Sequence, residues 1–145
     1  MHEIVVNLHM HTRYSDGTGT HKDIAEAAIQ AGIDAVLVTD HNVLVQGVEG
    51  YYRLSRKRVL LLVGQEVHDQ DRDPQKNHLL VFNSQRDVAP LADDPQTLIN
   101  GVAEAGGLSF IATRVTRRHP PSTKRISPGK PGMYTAIRGL SSGTA

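Results

Sequence analysis

The sequence contains no cysteine and no tryptophan, and aromatic residues make up only 4% of its 145 positions. The absence of cysteine excludes disulfides, thiolate metal sites and a cysteine nucleophile, so any metal must be held by His, Asp and Glu side chains. No run approaches the roughly 20 apolar residues of a membrane-spanning helix. The short first apolar run and acidic Glu3 do not resemble a secretory signal. We therefore expect a cytoplasmic protein with no membrane partner.

Length and charge set the domain organisation. The chain can form one domain with a core, but it is shorter than the roughly 250 residues of a complete (β/α)8 barrel. Residues 1–112 contain nine Lys or Arg and all 15 Asp or Glu, a net charge of −6, whereas residues 113–145 contain seven Lys or Arg and no acid, a net charge of +7. We expect one domain over residues 1–112 and a different kind of segment over residues 113–145.

Residues 1–112 alternate apolar strands with helical patterns. Thr20 and Gly32 predict the ends of a helix over residues 21–31, whose buried face would contain Ile24, Ala27, Ala28 and Ala31. Strands are expected at residues 35–39, 59–63, 78–82 and 108–112, and helices at residues 45–56 and from Asp93 or Asp94 to Ala105. The loop of residues 68–76 is too short for a crossover helix, so the next strand should run antiparallel to its predecessor. The whole pattern predicts a mainly parallel α/β fold, with functional groups at the carboxyl ends of its strands.

The strongest local signal is the pair of histidines in the first strand. His9 and His11 are two residues apart, so their side chains project to the same face of an extended strand. Two imidazoles there can supply part of a metal site. Asp16 follows in a loop that could bring a carboxylate to the same place. The alternatives are a histidine pair without metal, and an Asp16 that only forms a turn with Gly17.

Further ligand-type side chains follow at the later strand ends. The complete set is His9, His11, Asp16, His41, Glu66 and His78. One ion needs only three or four protein ligands, so six imply at least two ions, with Glu66 as the bridge. Paired ions about 3.5 to 4 Å apart suit phosphoester hydrolysis by activated water. Among the six, Asp16, His41 and Glu66 are the expected catalytic residues.

The order of these motifs resembles the PHP family, named for its polymerase-associated and histidinol-phosphatase members. The motifs are H-x-H-T, S-D-G, T-D-H, G-x-E and a histidine opening the next strand, all within residues 4–112. The resemblance implies a distorted (β/α)7 TIM-like barrel, here incomplete, with two or three Zn, Mn or Fe ions, and hydrolysis of phosphomonoesters, small phosphodiesters or DNA ends. It implies that His9, His11 and Glu66 hold one ion, Glu66 and His78 a second, and Asp16 and His41 a third. Asp40 would support these ligands, although it could be only a turn former, and Asn7 stands where an aspartate is more usual.

The partners follow from composition. Residues 1–112 lack the basic, aromatic-interleaved character of a nucleic-acid surface, so we expect a small phosphorylated substrate. His2, His21, His68 and His119 are expected at the surface, although His68 follows Glu66 closely enough to face the site, and neither Arg13 nor Lys22 is expected to bind phosphate. Two alternatives stay open. One is a non-catalytic metal-binding or polymerase-associated structural module, and the other is an amidohydrolase-type barrel, against which the T-D-H and G-x-E motifs argue.

The sequence departs from the family pattern after Ile111-Ala112. The family continues I-A-H-P and later supplies an Asp-x-His pair, whereas this chain continues Thr113-Arg114. Residues 113–145 contain four Pro, four Gly and nine Ser or Thr, without periodicity. They are either a disordered basic tail or an out-of-frame translation, because restoring one cytosine after the Ala112 codon can return His-Pro. The nucleotide sequence of the gene decides between them. We expect this truncated 145-residue product to be a weak or inactive enzyme, with unpaired strand edges and poor solubility.

Overall fold

The computed structural model describes residues 3–73 and 77–112, so the predictions for residues 113–145, His2 and His119 lie outside the described residues. The elements, in chain order, are β1 (Val6–Met10), α1 (His21–Ala31), β2 (Ala35–His41), β3 (Gly50–Leu54), β4 (Lys57–Val67), β5 (Leu79–Phe82), a 3-10 turn (Ala89–Leu91), α2 (Pro95–Glu104) and β6 (Leu108–Ile111). One sheet has the order β1-β2-β4-β5-β6, with β3 beside β4, and curls into a half-barrel. The predicted α/β class is confirmed. No helix within these described ranges is long and apolar enough to cross a membrane.

The sheet is mixed, so the prediction of a mainly parallel sheet is wrong. β1 and β4 run parallel to β2, whereas β3 and β5 run antiparallel to β4, and β6 antiparallel to β5. The predicted reversal between β4 and β5 is confirmed, because their connection cannot hold a crossover helix. As a result the carboxyl ends of β1, β2 and β4 and the start of β5 share one edge.

The predicted helix over residues 45–56 is also wrong, because this segment forms β3 and the turn into β4. Gly47 and Gly50 adopt φ values of 79° and 138°, which a regular helix cannot contain. Tyr51 and Tyr52 favour an extended chain. Two residues, Ser55 and Arg56, connect the paired positions Leu54 and Lys57, and Ser55 has a φ of 56°. The segment is therefore a tight β-hairpin.

The helix α1 has the predicted bounds, but its buried face is wider than predicted. The Thr20 hydroxyl accepts from the Asp23 backbone N–H, the Asp23 carboxylate accepts from Thr20 N at 2.8 Å, and Gly32 ends the helix at a φ of 75°. The buried residues are His21, Ile24, Ala25, Ala28 and Ile29, whereas Ala27 and Ala31 are exposed. This spacing is that of a broad apolar stripe. The stripe packs on Val36, Val38, Val59 and Leu61.

The second core lies under α2. Asp94, and not Asp93, caps this helix by accepting from Gln96 N at 3.0 Å, and Pro95 occupies its first turn. Leu98 and Val102 then pack with Val67, Leu79, Val81 and Val88. The opposite face of the sheet carries Glu66, because Glu66 pairs with His41 on one side and with Leu80 on the other. The helices thus cover one face and leave the other to the site.

Candidate metal centre

The six predicted ligand side chains meet at the shared edge of the sheet. His9 lies in β1, His41 ends β2, Glu66 lies beside His41 in β4, and His78 directly precedes β5. Their nitrogen and oxygen atoms form three overlapping groups, each within 4.8 Å. These groups are His9, His11 and Glu66; His11, Asp16 and His41; and His41, Glu66 and His78. Each could hold a metal ion, and ligation itself stays a prediction.

Glu66 is the central side chain and is only 4% exposed. Its Oε2 lies 2.8 Å from His9 Nε2 and 2.9 Å from His11 Nε2, and its Oε1 lies 2.8 Å from His78 Nδ1. Burial acts to raise the pKa of Glu66, but the hydrogen bonds from His11, His9 and His78 and the charge of His9 outweigh it and hold the pKa far below its usual range. Glu66 is therefore an anion at neutral pH.

Asp16 brings a second carboxylate against His11 and His41. Its Oδ1 lies 2.8 Å from His11 Nδ1 and its Oδ2 lies 3.7 Å from His41 Nε2. Burial acts to raise the pKa of Asp16, but the charges of His11 and His41 lower it. Burial alone would lower the pKa of His11, yet Glu66 and Asp16 raise it, whereas for His41 burial prevails and lowers the pKa. His41 is thus neutral at pH 7, which is the ligating form of imidazole.

The donor atoms fit a divalent cation. His9 Nε2 and His11 Nε2 lie 2.8 Å apart, and both lie within 2.9 Å of the same Glu66 oxygen, so lone pairs converge on one point. His41 Nδ1 is buried and lacks a hydrogen-bond partner in the described part of the chain. Two ligands of one zinc ion lie within about 4.2 Å of each other, given zinc–ligand distances of about 2.0 to 2.1 Å. Imidazole and carboxylate together suit Zn, Mn or Fe.

All six side chains fall within residues 7–92, which match the family model of the PHP domain. The chain belongs to the PHP domain family. This family includes metal-dependent phosphoesterases and polymerase-associated modules, and membership sets aside the amidohydrolase alternative. Among curated proteins, the PHP domain is similar to the DNA polymerase III alpha subunits of two Helicobacter pylori strains, 26695 and J99. Each is 29% identical over 85 residues, which cover 52% of this chain and 7% of the relative.

Asp40 anchors the loop of the PHP domain that carries Asp16. It is 1% exposed and accepts from Thr12 N at 2.7 Å, from Thr12 Oγ1 at 2.8 Å and from Ser15 Oγ at 2.9 Å. Asp40 lies within β2, so the alternative of a turn former is wrong. Asn7 supports His9 in a comparable way, because its Oδ1 accepts from His9 N at 3.1 Å.

His68 and Asn42 belong to the site, and the expectation of a surface position for His21 and His68 is wrong. Both histidines are 5% exposed. The His68 ring stacks on His78 at 4.6 Å and meets the edge of His41 at 5.0 Å. The Asn42 carboxamide accepts from His68 N and donates to His68 O, both at 3.0 Å. The E-x-H spacing carried a signal for His68, since it places His68 on the face of Glu66.

Gly17 allows the loop to bring Asp16 to His11. A Cβ at Gly17 would overlap the His11 carbonyl group, whereas a Cβ at Gly19 would meet nothing closer than 3.4 Å. We expect Gly17→Ala to displace Asp16 and to lower the number of bound ions by about one per chain. Elemental analysis after loading with Mn²⁺ checks this, with Gly19→Ala as the matched control. Equal ion content in the two variants would show that Asp16 holds no ion.

Proposed function

We propose that this PHP domain binds two or three Zn, Mn or Fe ions and hydrolyses a phosphate ester of a small phosphorylated substrate. The observation that carries the proposal is the sharing of one buried carboxylate, Glu66, by two of the three donor groups. A shared carboxylate is the feature that holds two ions side by side, and paired ions suit phosphoryl transfer to water. In this proposal His9, His11 and Glu66 hold one ion, Glu66 and His78 with His41 a second, and Asp16 and His41 a third.

The protonation states of the side chains support this assignment. If His11 presents Nε2 to the ion held with Glu66, its Nδ1–H donates to Asp16 and fixes the ring. His41 is neutral and Glu66 and Asp16 are anionic at neutral pH, as their pKa shifts require. Asp16 is exposed, so it stands where a substrate enters. When bound, the ions supply Lewis-acid chemistry toward a phosphoryl oxygen and lower the pKa of water.

We further propose that the half-barrel is part of a distorted (β/α)7 barrel of the PHP type. The supporting features are the curled sheet, the two helices on one face and the ligands at the carboxyl edge. The I-A-H-P histidine and the Asp-x-His pair are not in this sequence. Because these ligands are missing, we expect weak hydrolysis by the 145-residue chain.

The test combines metal content with turnover. The full chain is purified, stripped with a chelator, reloaded with Mn²⁺ or Zn²⁺ and assayed with p-nitrophenyl phosphate. We expect at least two ions per chain and slow hydrolysis that depends on the ions. We expect His78→Ala to lose both an ion and turnover, while Asp93→Asn, on the exposed loop before α2, keeps them. Less than one ion per chain would contradict the whole proposal.

A second function is favoured by the relatives. Both similar curated proteins are polymerase alpha subunits, and the chain spans only 7% of their length. A polymerase-associated PHP module could hold ions for structural reasons alone. In the same assay, two bound ions with no turnover under any metal would contradict hydrolysis and favour this structural module.

A further inference from the structure

The hairpin of β3 and β4 concentrates positive charge. Arg53, Arg56, Lys57 and Arg58 are four of the nine basic residues in residues 1–112, and all four are exposed. No acidic residue lies between Glu49 and Glu66 in the sequence. Within residues 3–73 and 77–112, no ion pair joins these four side chains to a carboxylate. The hairpin therefore presents uncompensated positive charge to solvent.

The strand register collects part of this charge on one face. Arg53 pairs directly with Arg58, and Tyr51 pairs with Leu60, so these four side chains share a face. The other face contains Tyr52 and Val59, which pack into the core under α1. Like charges at directly opposed positions destabilise a sheet. This arrangement has a cost in the free protein that a bound polyanion would relieve.

Tyr51 adds an exposed aromatic ring to the same face. The ring is 56% exposed, and the guanidinium carbon of Arg58 lies 4.6 Å from its centroid. The stacked arginine holds the ring in place. An aromatic ring beside arginines is the arrangement that binds single-stranded nucleic acid, since bases stack on the ring and guanidinium groups pair with phosphates.

The acids near this hairpin are engaged elsewhere. Glu49 accepts from Val63 N at 2.9 Å, and Asp34 accepts from Val5 N at 2.9 Å. Glu66 lies on the same face of β4 as Arg58 but eight residues further along the strand, roughly 26 Å away. The hairpin is therefore separate from the metal centre.

We propose that Tyr51, Arg53, Arg56 and Arg58, the hairpin surface, bind a single-stranded nucleic acid. Arginine and an exposed ring on a β-face favour this partner over a lipid membrane, for which the hairpin offers no apolar insertion face beside its charges. They also favour it over an acidic protein, which would not use the ring for base stacking. The proposal does not rest on the metal centre or on hydrolysis.

The first test separates the hairpin from the basic residues 113–145. Binding of a fluorescein-labelled oligothymidylate to the full chain is followed by anisotropy, comparing Arg53→Gln/Arg56→Gln with the charge-matched control Arg72→Gln/Arg86→Gln. Each lost phosphate contact lowers the salt slope by about 0.7, so the hairpin variant should lose roughly sevenfold less affinity than wild type between about 50 and 200 mM salt. Equal changes in both variants would overturn the proposal.

The second test addresses the ring. Tyr51→Ala should weaken oligothymidylate binding roughly 5- to 150-fold, which is the range for one stacked base, and Tyr51→Phe should restore it. Circular dichroism of both variants checks that the hairpin still folds. Equal affinities of Tyr51→Ala and Tyr51→Phe, or binding to phosphatidylserine vesicles or polyglutamate but not to oligothymidylate, would overturn the assignment.

Discussion

Glu66→Gln is expected to remove most of the metal from the PHP domain. Glu66 contributes oxygens to two of the three donor groups, and glutamine has a similar shape but no charge and only one acceptor oxygen. We expect the bound ions to fall from two or more to fewer than one per chain. Elemental analysis of protein reloaded with Mn²⁺ or Zn²⁺ measures this directly.

The same variant should lose its stabilisation by metal. An ion present at 100 times its dissociation constant stabilises the folded wild type by about 2.7 kcal/mol. We expect thermal unfolding of wild type to shift upward on addition of metal and back with a chelator, and Glu66→Gln to unfold at one temperature throughout. Glu104→Gln removes an exposed carboxylate at the end of α2 and should behave as wild type. Two ions retained by Glu66→Gln would contradict the central role of this carboxylate.

Gly64→Ala is expected to cause the largest loss of stability among single methyl additions to the sheet. Gly64 lies between β2 and β5, and a Cβ there would overlap the Val81 carbonyl oxygen and approach Thr39 Cγ2 to 3.3 Å. The clash involves backbone, so the strands must separate. Overpacking of this kind costs about 3 kcal/mol, which is a large part of the 5 to 15 kcal/mol that typically stabilises a domain.

Thermal unfolding monitored by circular dichroism measures this loss. We expect Gly64→Ala to lower the midpoint by more than about 10 °C. Gly19→Ala, with no close neighbour for its Cβ, should leave the midpoint nearly unchanged. The separation of β4 from β5 should also move Glu66 away from His78. A midpoint within a few degrees of wild type would show that the sheet opens at Gly64 without cost.

The sequence was sufficient to find the site because its signals are local. His9 and His11 declare a shared face by their spacing, and the short loop before His78 forces β5 to reverse toward Glu66. Thr20 and Gly32 likewise fixed both ends of α1. In each case the physical determinant lies within a few residues of the feature, so periodicity and capping rules apply directly.

Features that depend on pairing between distant residues were missed. Val45 and Val48 imitate the spacing of a helix, and only the backbone angles at Gly47 and Gly50 and the pairing with β4 make residues 50–54 a strand. The burial of His68 depends on two rings, His41 and His78, that come from other strands. No local pattern contains that information, and the arginines of the hairpin could not be placed on one face while residues 45–56 were assigned to a helix.

The position of β4 has a consequence for local opening. β4 pairs with β2 along one side and with both β3 and β5 along the other, whereas β1 and β6 each pair with one strand among the described residues. Backbone amides in the middle of β4 can exchange with deuterium only when several ladders open together. They should exchange through global unfolding, while amides of β1 and β6 exchange through local fraying. The strand that carries Glu66 is thus the last part of the sheet to open.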